Sequence, residues 1–323
     1  MKSATVASCG ALAWLMLASP VGAQGAEGSR RPNVVLIMAD DLGFSDIGSY
    51  GSEIETPHLD RLADGGLRFT QFYNMAKCET TRASLLTGLF AKKRHADNAR
   101  SLSGLLRGAG YQTAIVGKEH FSRWVPDHVY ARESFHRSLV YWTINPFFEP
   151  PDGQWKNPFE LDGEVIATSD MPVSRRPFYK TDVLTDYALG FLEEAEETGK
   201  PFFLYLPYHV AHYPLQAREE DIERYRGRYR KGWDQVRAER FERMRKQGVI
   251  PSQARLSPPE DNVNAYRGPY RDDIYKYRPW DSLGDEEKDD LDLEMAVFAA
   301  MVDRLDQNIG RVIGKLRTMD ALH

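Results

Sequence analysis

Asn33 to Met38 reads NVVLIM, an unbroken apolar run rich in β-branched residues that predicts a strand covered on both faces. The run stops at Ala39-Asp40-Asp41. Thr56-Pro57 then opens PHLDRLADGG, with Thr as N-cap, Pro at the first helical position and glycines at the stop, which predicts a helix. Leu67 to Phe72 reads as a second short strand, Arg82 to Leu86 as a helix closed by Gly88, and Ser101 to Leu106 as a short helix ahead of Gly108 and Gly110. Gln112 to Val116 (QTAIV) is another buried-type strand, running into Gly117-Lys118-Glu119-His120. Thr181 to Glu197 is amphipathic at helical spacing. Phe202 to Leu206 (FFLYL) predicts a further strand that leads into Pro207-Tyr208-His209-Val210-Ala211-His212. Leu291 to Leu316 is helical, its apolar positions recurring through Val297, Met301, Leu305, Ile309 and Ile313.

Apolar strands separated by helical segments predict an α/β fold, a mostly parallel sheet sandwiched between helices. Such sheets bind ligands beyond the carboxyl ends of their strands. Asp40 and Asp41 follow one strand, Lys118 and His120 the next, and His212 another. Singly these are ordinary, since adjacent aspartates cap turns and lone histidines are usually structural. Their coincidence at strand exits points to a site. Residues 216–247 are dense in charge, with Arg224, Arg226, Arg228 and Arg230 around Tyr225 and Tyr229. Arginine interleaved with aromatics is a nucleic-acid pattern, but the neighbouring acidic residues offset it, and the segment reads as a solvated helix face with i,i+4 pairs. The Pro- and charge-rich stretch 251–288 reads as irregular surface.

Composition narrows the setting. Residues 1–23 join Lys2, the apolar core ALAWLMLA and Val21-Gly22-Ala23, the plan of a secretory signal peptide. The core is shorter than the roughly 20 apolar residues of a spanning helix, so a secreted or periplasmic protein with no membrane attachment after cleavage is expected. Of the two cysteines, Cys9 would leave with the leader and Cys78 would remain, which excludes a disulfide scaffold. A net charge of −5 and a pI near 6.0 argue against a nucleic-acid partner.

The segments PNVVLIMADDLGFSDIGSYG, TPHLDRLADGGLRFTQFY, CETTRASLLTG, GYQTAIVGKEHF, AHYPLQ and AAMVDRLDQNIGRVIGKL, in this order, resemble the type I sulfatases of the alkaline-phosphatase-like superfamily. GWDQVRAERFERMRKQG resembles a segment of some arylsulfatases, which makes the charged stretch a family insertion.

The resemblance implies an alkaline-phosphatase-like sulfatase fold. It also implies that a formylglycine-generating enzyme oxidises Cys78 to Cα-formylglycine, the nucleophile toward a sulfated small molecule or carbohydrate. By the same resemblance Asp40, Asp41 and the modified Cys78 bind Ca²⁺, with Mg²⁺ the alternative hard cation. Arg82 holds the nucleophilic oxygen and Lys118 the sulfate, His120 takes the proton that releases sulfate, and His212 protonates the leaving alcohol. His209 is the nearby competitor for that last role.

Two features depart from the pattern. Thr80 stands where proline is usual, and the chain reaches His323 before the strand ending in Asp-Asn-Gly that carries further metal ligands, and before a second sulfate-binding lysine. Residues 24–323 are therefore expected to be a sulfatase N-terminal catalytic domain incomplete at the C-terminus, with 216–288 a charged surface insertion. Two other readings stay open: a phosphonate or phosphate monoester hydrolase of the same superfamily, and an inactive fragment.

Overall fold

A computed structural model describes residues 31–90, 99–121, 134–257 and 279–322. The expected leader and part of the 216–288 segment lie outside these residues. Six strands form one sheet: β1 (Val34–Asp40), β2 (Gln112–Lys118), β3 (Arg137–Tyr141), β4 (Phe159–Leu161), β5 (Glu164–Ile166) and β6 (Phe202–Ala211). Their spatial order is β1-β6-β2-β3-β4-β5. The first four in that order run parallel, with Val34 opposite Phe203 and Gln112 opposite Phe202, while β4 and β5 add an antiparallel hairpin. The parallel strands are those whose apolar runs announce them, apart from the shorter β3.

Seven helices are described: α1 (Pro57–Gly65), α2 (Cys78–Thr87), α3 (Leu102–Gly108), α4 (Lys180–Thr198), α5 (Glu219–Ile222), α6 (Trp233–Lys246) and α7 (Asp285–Thr318). None is long and apolar enough to cross a membrane. Alternate strand residues face opposite layers, as a period of two requires. Val116, Leu139, Leu204 and Leu206 join a core with α4 and α7, while Ile115, Val140, Phe203 and Tyr205 join a second core with α2 and α3. The sheet is thus covered on both faces, in agreement with the expected sandwich. β6 lies between two neighbours and is buried throughout. β1 is an edge strand of this sheet, and its apolar residues are only half-buried, less covered than the run predicts.

Asp182 locks the first layer together. Its carboxylate accepts hydrogen bonds from Arg218, Arg304 and Asn308 at 2.7–3.0 Å, joining α4 to α7. Burial alone would raise its pKa, but Arg304, Asn308 and Arg218 outweigh that and hold it below the ordinary aspartate value.

Two expectations need correction. Leu67 to Phe72 forms no strand: it finds no strand partner among the described residues, and Tyr73 next to it is 85% exposed. The charged segment is more than a solvated face. Tyr225 and Tyr229 are buried, the Tyr225 hydroxyl donates to Asp303 at 2.7 Å, and Arg224, Arg228, Arg240 and Arg243 reach Glu53 and Glu55 in the loop before α1. The interleaved Tyr and Arg serve packing and clamping, with Arg243–Glu239 as an i,i+4 pair at 3.9 Å.

Gly117 permits the close approach of β2 to β6 near the strand exits. It sits at φ 139°, and a Cβ there would lie 2.1 Å from the Pro207 carbonyl oxygen. Gly117→Ala is therefore expected to destabilise by about 1–3 kcal/mol in urea titration. Gly314→Ala in α7, where a Cβ meets nothing within 4 Å, should be neutral or stabilising by up to about 1 kcal/mol. Equal effects would contradict the close approach.

Candidate active site

β1 ends by burying a carboxylate. Asp40 is 3% exposed, and an isolated buried aspartate would cost several kcal/mol. Two cations compensate it. Lys118, the last residue of β2, donates from Nζ to Asp40 Oδ2 at 2.6 Å, and Arg82 of α2 places Nη2 3.3 Å from Oδ1. Both side chains are fully buried, and Arg82 Nη1 also donates to the Lys118 carbonyl at 3.1 Å. Burial pushes the Asp40 pKa up, but the charges of Arg82 and Lys118 prevail and hold it below the usual value. Arg82 was expected to hold an oxygen on residue 78; its guanidinium reaches Asp40 and the Lys118 carbonyl, one helical turn from that residue.

The same contacts bring position 78 to a base. Cys78 is the first residue of α2, one helical turn before Arg82, so the helix begins earlier than expected. Beyond β2 the backbone keeps pairing beside β3, Glu119 N–H to Tyr141 O and His120 N–H to Trp142 O. His120 then adopts φ 47°, and its ring sits with Nδ1 3.4 Å from Cys78 Sγ. Its Nε2 lies 3.0 Å from Glu79 Oε1 and 3.3 Å from Thr143 Oγ1. A carboxylate only accepts, so the hydrogen is on Nε2 and the Nδ1 lone pair faces residue 78. Burial and then the Lys118 charge push the His120 pKa down to about 4, against the opposing pull of Glu79. At neutral pH it is an uncharged base.

Asp41 and His212 form the outer edge. Asp41 leaves β1 through φ 56° with its side chain 58% exposed, and its Oδ2 lies 3.6 Å from His212 Nε2. His212 Nδ1 donates to the Tyr213 carbonyl at 2.7 Å, which leaves Nε2 as the nitrogen facing the site. The left-handed backbone of both Asp41 and His120 costs on the order of 1 kcal/mol each, and turns both side chains toward the strand ends. His209 is more deeply buried, with Nδ1 2.5 Å from Lys180 Nζ. Burial and then the Lys180 charge drive its pKa far below the ordinary histidine value, so it is a poor proton donor.

One ligand atom from each of Asp40, His209 and His212 lies within 4.8 Å of the others, a candidate metal group among the described residues. For a hard cation the relevant donors are the carboxylates of Asp40 and Asp41. Carboxylate oxygens are the donor type Ca²⁺ takes; Asp40 is buried between Lys118 and Arg82, and Asp41 is exposed beside His212. Every site residue expected from the sequence thus gathers at one end of the sheet. Glu79, Thr143 and Lys180 were not expected. Glu79 directly follows Cys78, the one local signal available, whereas Lys180 opens a helix whose pattern says nothing of its burial.

The chain matches the Sulfatase family model over residues 32–322. It is 34% identical over 325 residues to an uncharacterised sulfatase of Schizosaccharomyces pombe, covering 91% of this chain and 56% of that protein. It is 26% identical over 330 residues to an arylsulfatase of Klebsiella aerogenes, covering 92% and 64%. Among solved structures, one determined in complex with its substrate D-glucosamine-2-N,6-O-disulfate aligns with a TM-score of 0.59 at 21% identity, covering 91% of this chain and 63% of that one. This likeness shows a shared fold. The chain spans 56–64% of the length of these proteins.

Removing the central anion should hurt more than removing one of its two cations. Asp40→Asn leaves Lys118 and Arg82 buried together and is expected to cost about 3–5 kcal/mol. Lys118→Met leaves a one-to-one pair of Arg82 with Asp40 and should cost clearly less. Urea denaturation of both variants with chelator present checks this, and the reverse order would contradict the arrangement.

Proposed function

The chain belongs to the sulfatase family, and from that premise we propose that it hydrolyses sulfate esters at the cluster around Cys78. The observation that carries this reading is the neutral His120 base, its Nδ1 3.4 Å from Cys78 Sγ, set beside buried cations. Cys78, oxidised to formylglycine by a formylglycine-generating enzyme and hydrated, would supply the nucleophilic oxygen, while a Ca²⁺ held by Asp40 and Asp41 would polarise the sulfate.

The protein's own residues account for charge and protons. Lys118 and Arg82 exceed the charge of Asp40 by one, which favours an anionic sulfate at the strand ends. His120 accepts a proton from residue 78 at Nδ1 and is kept in that tautomer by Glu79. His212, protonated on both ring nitrogens, would give its Nε2 proton to the leaving alcohol and remain as the neutral Nδ1–H ring bonded to Tyr213 O. His209, buried and tied to Lys180, is the weaker candidate for that donor.

A sulfated small molecule or carbohydrate is the substrate class. Supporting it are the arylsulfatase relative and the structural neighbour solved with a disulfated glucosamine. The leader-like residues 1–23 support a secreted or periplasmic setting.

Side-by-side assays of an aryl sulfate and an aryl phosphonate, on enzyme carrying the converted residue, test the reaction class. Turnover of the sulfate is expected to dominate; turnover of the phosphonate alone would overturn the assignment. The acid is tested by leaving group. A nitrophenolate departs unaided, whereas a sugar alkoxide needs a proton, so His212→Ala should slow sugar-sulfate turnover by ~10²–10⁴-fold and nitrophenyl sulfate far less. Equal losses on both substrates would mean that His212 binds sulfate instead of protonating the alcohol.

A further inference from the structure

Beneath the proposed acid lies a polar pair that this mechanism leaves unused. Lys180, the first residue of α4, and His209, on β6, are both almost wholly buried, His209 at 1% exposure. Lys180 Nζ donates to the Asn145 carbonyl at 2.6 Å and stands 2.5 Å from His209 Nδ1. The rings of Phe147 and Tyr141 face the same nitrogen at 4.3 and 5.1 Å from their centroids. As an ammonium, Lys180 has three hydrogens and no lone pair, so toward both the carbonyl and Nδ1 it can only donate. With Nδ1 accepting, the single hydrogen of a neutral imidazole must be on Nε2.

His209 Nε2 is buried and has no hydrogen-bond partner among the described residues. Such groups in a native fold call for an explanation, and a ligand oxygen as partner is one. The ring is well placed for that. It is stacked between Phe147 at 5.4 Å and His212 at 4.8 Å, and His212 stacks in turn on Tyr213 at 4.7 Å. One of its nitrogens also lies within 4.8 Å of ligand atoms of Asp40 and His212. Since Nδ1 is taken by Lys180, Nε2 is the nitrogen left to meet a molecule there.

We propose that His209 is a further binding residue, its Nε2–H donating to an oxygen of the sulfate group, and that Lys180 is the positioning residue that fixes this tautomer. The assignment rests on the sulfate-ester reading of the site. It gives Lys180 a reason to be buried: a shorter or apolar side chain would leave Nδ1 free of this partner and allow the other tautomer, which turns a bare Nε2 to the anion.

Nitrogen-15 NMR of histidine-labelled full chain reads the tautomer without any variant. His209 is expected as the Nε2–H form, with the Nε2 resonance moving on titration with inorganic sulfate; an Nδ1–H form would overturn the proposal. Calorimetry with inorganic sulfate reads the contact itself. His209→Phe keeps the ring stack and removes the donor, and should weaken sulfate binding ~10–100-fold, as for a lost hydrogen bond to a charged group. His209→Gln, which retains an N–H, should recover part of it. Wild type and His209→Phe binding sulfate alike would overturn the donor role while leaving the sulfate site standing. A wild-type chain that binds no sulfate would overturn both.

Discussion

The buried carboxylate of Asp40 is the constraint around which the site is assembled. An aspartate at the end of an edge strand, removed from water, is tolerable only if cations reach it, and here they come from two separate elements, α2 and β2. Meeting that demand fixes the rest. Arg82 pulls the first turn of α2 against the strand ends and brings Cys78 with it, one turn away. Lys118 anchors the end of β2, and His120 follows two residues later. The contact between Cys78 and His120 is therefore a consequence of neutralising Asp40, and it needs no separate device beyond Glu79 to hold the ring.

The arrangement also separates two histidines that are three residues apart on one strand exit. His209 is buried, bonded to a lysine and held neutral, while His212 lies over it with one nitrogen fixed and the other facing Asp41. Environment, not residue type, divides their tasks. A stack of rings from buried Phe147 out to Tyr213 ties the two orientations together.

Much of this was legible in the sequence. β1, β2 and β6 stand out because long apolar runs at parallel strands leave little ambiguity, and the polar residues after each run did prove to meet. β3 did not stand out, since Arg137 and Ser138 open it and only three apolar residues follow. The β4–β5 hairpin has three-residue strands, too short for alternation to show. Its turn was nonetheless written in Asp162-Gly163, both left-handed at φ 49° and 97°, an Asp-Gly pair of the kind that closes two-residue hairpins. Leu67 to Phe72 carries strand-like composition without a strand to pair with, so composition misled. Lys180 and Glu79 were hidden for a different reason. Their roles depend on His209 and His120, partners far along the chain that only the fold brings near.

The account stands or falls on the chemical identity of residue 78. Thr80 occupies the place where proline is usual, and its hydroxyl donates to the Lys77 carbonyl at 3.1 Å, within the first turn of α2. The direct measurement is mass spectrometry of the peptide carrying residue 78 after co-expression with a formylglycine-generating enzyme. A peptide lighter than its thiol form and reactive toward hydrazides is the predicted result. A peptide found only as alkylatable thiol would contradict the account, because the site would then lack its nucleophile.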